Sequence, residues 1–413
     1  MAERGERTMD TARGRSSVRH DPKGIDAQAD SPDKGWRARI AILALGSFAV
    51  GTDGYVIVGL LPQIAGTLHV GIAASGQLVS VFALVYALMA PVLAALTGRW
   101  SRRRVLVTAL ALLGAGNAVT ALAGDYALVL ASRVVAGCGA ALFSASAVAT
   151  ASHLAPQRRR GSAIAMVTTG ATLALVLGAP MGTVIGDAWG WQSAIWFITV
   201  LAAVVAAAIA VLLPDIRLDP AATLRQRLAP LTDMRVLRVL VVTLLGFVAI
   251  FLPFTYMSAV FAPAIDGRES RLALLLMVFG IAATVGNLTA GRLADRYRPR
   301  FVVVGALAGI AVVFAIMPLV RDSFVLAVAV QALAGLVCFS VIGPQQHRII
   351  AHAPAGGAPV VTSLNLSTAY LGNFCAGALG AVLLSSGAAY VPAVAAAFAL
   401  VAGLVAAWGR DRR

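Results

Sequence analysis

Apolar runs about 20 residues long recur along this chain, and arginines gather in every second gap between them. A run of that length crosses a bilayer as a helix, because a 1.5 Å rise per residue covers a hydrocarbon core of about 30 Å. Reading from one charged or turn-rich break to the next gives twelve spans: 40–62, 78–96, 105–123, 126–153, 163–186, 191–213, 239–263, 272–293, 301–319, 324–343, 360–386 and 390–408. The even gaps are basic. Arg99, Arg102, Arg103 and Arg104 follow span 2, and Arg158, Arg159 and Arg160 follow span 4. Arg217, Arg225, Arg227, Arg235 and Arg238 follow span 6; Arg292, Arg296, Arg298 and Arg300 follow span 8. Arg348 follows span 10, and Arg410, Arg412 and Arg413 close the chain. The odd gaps hold only Arg268, Arg271 and Arg321, beside Asp125, Asp187, Asp266, Glu269 and Asp322. Miscounting by one span would scramble this alternation. The positive-inside rule then predicts both termini in the cytoplasm of a cell membrane.

Composition agrees: 59% of the residues are hydrophobic and 12% charged, where soluble domains carry about 25% charged residues. The net charge of +15 does not point to nucleic acid, because the basic residues lie in short loops and not on one soluble face. Residues 1–37 read as a disordered cytoplasmic tail with no apolar core and no signal-peptide pattern. The predicted organisation is a six-helix bundle over 38–213, a polar linker over 214–238 with breakers Pro214, Pro220 and Pro230, a second bundle over 239–409, and a short cytoplasmic end, 410–413. Two parallel repeats explain the likeness of the loops after spans 2 and 8.

Asp53 lies inside span 1, about 20 Å from its arginine-rich end. An ionisable group near the bilayer centre costs at least about 2.5 kcal/mol on insertion scales, and such groups mark pathways or proton sites. Arg133, about 12 Å into span 4 from the other end, reaches a similar depth. Burial favours a neutral Asp53 and a neighbouring arginine favours a charged one, a balance suited to loading and losing a proton. Two other readings stay open: a static ion pair joining spans 1 and 4, and an Arg133 bonded to backbone carbonyls near Gly137 and Gly139. In span 5, Gly178, Gly182 and Gly186 recur every fourth residue on one helix face, with Pro180 between them. That pattern predicts close helix contact and a bend.

Several motifs carry a resemblance. Gly291-Arg292-Leu293-Ala294-Asp295-Arg296-Tyr297 follows span 8. Its partner after span 2, aligned on Arg99, has Gly98 where an aspartate is expected. Span 4 carries Arg133-Val134-Val135-Ala136-Gly137, and span 5 carries Gly178-Ala179-Pro180-Met181-Gly182, followed by Gly190-Trp191-Gln192. These segments, with the surroundings of Asp53, Phe82-Ala83-Leu84-Val85-Tyr86-Ala87 and Arg102-Arg103-Arg104-Val105, resemble the major facilitator superfamily. Within it they resemble the twelve-helix drug:proton antiporters, above all actinobacterial chloramphenicol-resistance exporters. The resemblance implies an all-α membrane fold of 12 helices in two pseudo-symmetric bundles. It also implies gating roles for Arg99, Gly291, Asp295 and Arg296.

The expected function is therefore proton-coupled efflux of a small amphipathic drug, chloramphenicol or a similar neutral antibiotic, by a monomer without cofactor or metal. An apolar cavity with few polar groups suits such a cargo. The candidates to line it are Tyr55, Gln77, Tyr86, Asn117, Phe254, Tyr256, Asn287, Asn365 and Asn373. No nucleotide-binding loop exists, and the only lysines are Lys23 and Lys34, so a gradient must drive transport. A sugar or metabolite transporter of the same fold is the nearest rival, and a transport-dead sensor a more distant one. An intramembrane enzyme would need paired carboxylates, a metal cluster or a Ser/His pair within the spans. The cysteines Cys138, Cys338 and Cys375 have no metal or disulfide spacing.

Overall fold

A computed structural model describes residues 35–217, 224–354 and 357–408. Most of the expected tail and the whole of the 410–413 end lie outside the described residues. Among the described residues, twelve helices are long and apolar enough to cross a membrane: α1 Trp36–Thr67, α2 Ile72–Leu96, α3 Arg102–Leu122, α4 Tyr126–Leu154, α5 Gln157–Trp189 and α6 Trp191–Leu212. The second six are α7 Met234–Thr255, α8 Glu269–Arg296, α9 Pro299–Val320, α10 Phe324–Ala351, α11 Ala358–Ser386 and α12 Tyr390–Trp408. No strand occurs among the described residues. The helices form two bundles of six.

Local chemistry sets the helix ends. The Leu128 N–H donates to the Asp125 carboxylate over 2.9 Å at the start of α4, and the Arg235 N–H donates to Asp233 over 2.8 Å at the start of α7. Between α5 and α6 the chain turns on Gly190 alone, at φ 83°, a conformation that side-chain-bearing residues rarely adopt. Val200, Val204 and Val211 stay more than half exposed on α6. In a membrane such valines face acyl chains at no cost.

Three helices depart from the expected continuous runs. α5 contains one wide i→i+5 turn, Ala174–Gly178, just before Pro180, whose missing N–H cannot close the normal ladder. α7 stops at Thr255, two residues past Pro253, and continues as single turns Met257–Val260 and Ala262–Ile265. Tyr256 holds that break, because its buried hydroxyl donates to the Gly377 carbonyl of α11 over 2.6 Å. α10 breaks after Phe339 and resumes as Ile342–Ala351, eight residues past its expected end. Pro344 cannot donate into the ladder at this break. The polar continuation stays helical because Gln345 is buried with its amide on the Val239 carbonyl of α7, and the buried Arg348 donates to Gln345.

The bundles meet where α2 lies along α11 and where the end of α5 lies along α8. Close approach depends on missing side chains. A Cβ on Gly377 would strike Ser80 of α2, and one on Gly280 of α8 would come within 2.8 Å of Val176 in the wide turn of α5. These contacts and the Tyr256–Gly377 bond lie in the middle or on the side away from the arginine-rich loops. At the arginine-rich end, the short linker helix Leu224–Leu228 touches both α2 and α11.

Candidate functional site

Asp53 and Arg133 meet deep in the first bundle, at 0% and 1% side-chain exposure. The guanidinium grips the carboxylate with both ends: Nη1 donates to Oδ1 over 3.0 Å and Nη2 to Oδ2 over 3.3 Å. Nη2 also reaches the Asp53 main-chain carbonyl at 3.4 Å, and Nη1 donates to Oδ1 of Asn117 over 3.1 Å. The Phe82 ring covers the guanidinium, 4.7 Å from its central carbon. Thus α1, α2, α3 and α4 each contribute one side chain. Of the alternatives for Arg133, bonding to carbonyls near Gly137 and Gly139 does not occur; the carbonyl it reaches belongs to Asp53. The glycines act indirectly. A Cβ on Gly137 would crowd Phe82 and Val85, and one on Gly139 would lie 2.5 Å from the Leu113 nitrogen, so α4 sits tight against α2 and α3.

Bidentate pairing with extra hydrogen bonds is what a buried ion pair needs to survive desolvation. Two polar atoms beside it have no partner, Nε of Arg133 and Nδ2 of Asn117. The site therefore retains bonding capacity while excluding bulk water.

Above the pair runs an aromatic band. Tyr86 of α2 stacks on Tyr370 of α11 with ring centroids 3.6 Å apart and planes 16° from parallel. Tyr370 is within electrostatic reach of Asp53 and Tyr55. Tyr55 meets Phe254 edge-on at 6.1 Å, and Phe254 packs at 5.0 Å on Phe279, which meets Phe339 at 6.0 Å. This band crosses from the first bundle to the second beside the only buried carboxylate among the described residues.

The nine candidate cavity residues therefore separate into groups. Tyr55, Tyr86 and Phe254 belong to the aromatic band. Asn117 belongs to the ion pair. Gln77 and Tyr256 both donate to the Gly377 carbonyl, over 3.3 and 2.6 Å, at the α2–α11 seam. Asn365 accepts from Thr243 over 2.7 Å inside the second bundle. Asn373 is buried with its Oδ1 unpartnered, and Asn287 is half buried beside Gly343. Tyr370 was missing from the sequence-based set: a single tyrosine between Ala369 and Leu371 carries no signal until α11 is laid on α2.

The α5 glycines face α1. A Cβ on Gly178 would lie 2.7 Å from the Thr52 hydroxyl, and those on Gly182 and Gly186 would strike Val56 and Leu60. The stripe with Pro180 thus presses on the helix that holds Asp53. Arg99, Asp295 and Arg296 are exposed at the arginine-rich end, and Gly291 is half buried; Asp295 makes no ion pair with any described residue. No group of three or more His, Cys, Asp or Glu that could hold a metal exists among the described residues, and Cys138, Cys338 and Cys375 are free thiols.

Comparisons place this geometry in a family. The model of the Major Facilitator Superfamily matches residues 43–266. An uncharacterized MFS-type transporter, YbcL of Bacillus subtilis, is 32% identical over 89% of this chain and 95% of its own. A chloramphenicol resistance protein of Streptomyces lividans is 31% identical over 86% and 87%, respectively. A chloramphenicol efflux pump of Mycobacterium tuberculosis is 32% identical over 72% of both. Among solved structures, a bacterial homologue of the human lysosomal transporter Spinster, inward-facing and unoccupied, superposes with a TM-score of 0.74 at 17% identity. It covers 90% of this chain and 96% of that one. This chain belongs to the Major Facilitator Superfamily, as a multi-pass transporter of small molecules in the cell membrane.

Proposed function

We propose that the protein exports a small, neutral, amphipathic drug of the chloramphenicol class in exchange for protons. One observation carries the reading: a carboxylate at 0% exposure in a membrane helix, held by a single arginine beside an aromatic band that joins the bundles. Asp53 takes a proton from outside. The neutral acid loosens its grip on Arg133, and the proton leaves inward when the cycle turns. Tyr55, Tyr86, Phe254 and Tyr370 offer ring faces to an aromatic cargo, while Asn373 and the free Asn117 amide offer polar contacts. A nearly compensated charge suits a neutral cargo better than a multivalent cation. The printed names of two relatives, a chloramphenicol resistance protein and a chloramphenicol efflux pump, support the same class.

Transport runs by rocking the bundles 38–213 and 239–409 about the seams at α5 and α11, with 214–238 as linker. The arginine-rich end is cytoplasmic. The glycine stripe of α5 is the sliding surface, and the loops bearing Arg99, Gly291, Asp295 and Arg296 gate the cytoplasmic side. The protein acts as a monomer and catalyses no reaction. The test is proton movement in inside-out vesicles energised by respiration, read with an acridine dye on adding chloramphenicol. Wild type releases lumenal protons and Asp53→Asn does not. An equal response from both removes Asp53 as the proton site, and silence from both removes chloramphenicol as the cargo.

A further inference from the structure

A cavity of about 530 Å³ opens at the arginine-rich end, far from the Asp53 pair. Arg99, Trp100, Ser101, Arg103, Arg104 and Arg217 line it, together with Val107, Thr108 and Ala210. Four guanidiniums thus converge on one hollow between the α2–α3 loop, the first turns of α3, the end of α6 and the start of the linker. Among the described residues, the acid beside them is Asp215. The Ser101 hydroxyl beside it and the nearby Arg103, Arg104 and Arg217 hold its carboxyl below the usual carboxylate range. Four cations and one anion leave a local excess of three positive charges.

The walls also show how a ligand would lie. Val107 and Ala210 make one side apolar. Directly beyond it Leu96, Val211 and Leu212 are 70%, 79% and 52% exposed, a surface for acyl chains. Trp100, at 48%, sits on the rim with the amphipathic ring that favours the headgroup layer. A polar cationic hollow opening sideways onto lipid-facing leucines and valines matches a molecule with a phosphate head and apolar tails. The backbone ties the parts together, since the Arg102 N–H donates to the Ile216 carbonyl over 2.8 Å. Arg158, Arg159 and Arg160, after α4, are as basic and, like Arg99, Arg104 and Arg217, exposed, but they line no part of this cavity.

We propose that this pocket binds the phosphate-bearing headgroup of an anionic phospholipid and thereby fastens the start of the linker to the first bundle. The inference does not rest on the proton or drug assignment. Charge and shape select it: basic hollows between membrane helices favour anionic lipids, each arginine strengthening binding by a factor of about five.

The test uses the purified full chain in detergent, with phosphatidylglycerol, phosphatidylcholine or inorganic phosphate added. Lipid retention is read by native mass spectrometry and stability by thermal melting. Wild type retains phosphatidylglycerol over phosphatidylcholine and melts higher with it. The triple change Arg103→Gln, Arg104→Gln, Arg217→Gln weakens that binding on the order of 100-fold. The matched triple change Arg158→Gln, Arg159→Gln, Arg160→Gln keeps it. If the first triple variant fails to fold, Arg104→Gln alone still weakens binding about fivefold. Equal retention of both lipids overturns the proposal, as does equal loss in the two triple variants. Stabilisation by inorganic phosphate to the same extent as by lipid replaces the lipid with a soluble anion and overturns it too.

Discussion

The two bundles build their polar interiors from different chemistry on the same scaffold. In the first, α1, α3 and α4 bury a full ion pair, Asp53 with Arg133, and attach the Asn117 amide to it. In the second, α7, α10 and α11 bury amides, a hydroxyl and one cation, Arg348, which donates to the Gln345 side-chain oxygen over 3.2 Å. Gln345 donates to Thr243 over 3.1 Å and to the Val239 carbonyl over 2.8 Å, and Thr243 donates to Asn365 over 2.7 Å. The helix packing repeats, while among the described residues only the first bundle buries a carboxylate. α5 lies on α1 through Gly178, and α11 lies on α7 through Gly372. A network of amides, a hydroxyl and an arginine holds no group that titrates near neutrality, whereas a carboxylate pair can be opened by one proton. Under the proposed proton exchange, the first repeat would respond to a gradient and the second would stay rigid against it.

The sharpest break of that contrast is Arg133→Leu. It leaves the Asp53 carboxylate buried without its partner, and losing one member of a buried pair costs about 3–5 kcal/mol. Thermal melting in detergent should fall accordingly, with transport abolished. Adding Asp53→Asn to Arg133→Leu should recover most of the stability and none of the transport, because no buried charge then remains. If the double variant is no more stable than Arg133→Leu alone, the pair is not the source of the strain. Asp53→Asn by itself comes next. It removes drug-driven proton release and lowers melting, but by less than Arg133→Leu, since the amide oxygen still accepts from the guanidinium left without its anion.

In the second bundle, Thr243→Val strands the Asn365 oxygen and leaves the Gln345 amide with only the Val239 carbonyl to donate to. An unsatisfied buried polar group costs about 1–3 kcal/mol. The variant should melt lower yet keep an unchanged proton-to-drug ratio in vesicles. A changed ratio would place the second bundle in the proton path and end the division of labour.

Much of this was legible in the sequence. Twelve apolar runs and alternating arginines define the helices, because lipid leaves the backbone no other way to satisfy itself. Asp53 and Arg133 were legible for the same reason: a charge in such a run has few tolerated uses, and counting the rise from each end put both at one depth. Tyr370 and the ring band were not, since aromatic contacts join helices far apart in the chain and leave no local period. The breaks in α7 and α10 were half visible. Pro253 and Pro344 mark them, but Gln345-Gln346-His347-Arg348 reads as loop, and only burial of Gln345 against α7, with Arg348 bonded to it, keeps it helical.

The smallest expected effects test whether the packing is shared as the charge is not. Gly178→Ala puts a methyl 2.7 Å from the Thr52 hydroxyl and 3.1 Å from the Thr52 Cα. Gly372→Ala puts one 2.8 Å from the Leu244 carbonyl oxygen and 2.8 Å from the Phe247 Cβ. Both force a helix to shift, and overpacking of this kind costs about 1–3 kcal/mol. Similar melting losses in the two variants would show that both bundles rely on the same close contact. They should differ in transport, because only Gly178→Ala displaces the helix that carries Asp53. Gly305→Ala in α9 is the control, with nothing within 4 Å of the added carbon. Replacing an open helical glycine with alanine gains about 0.5–1 kcal/mol, so that variant should melt slightly higher than wild type. A loss there instead would mean that α9 itself bends during the cycle, and the rigid half would have to be redrawn around α7, α10 and α11 alone.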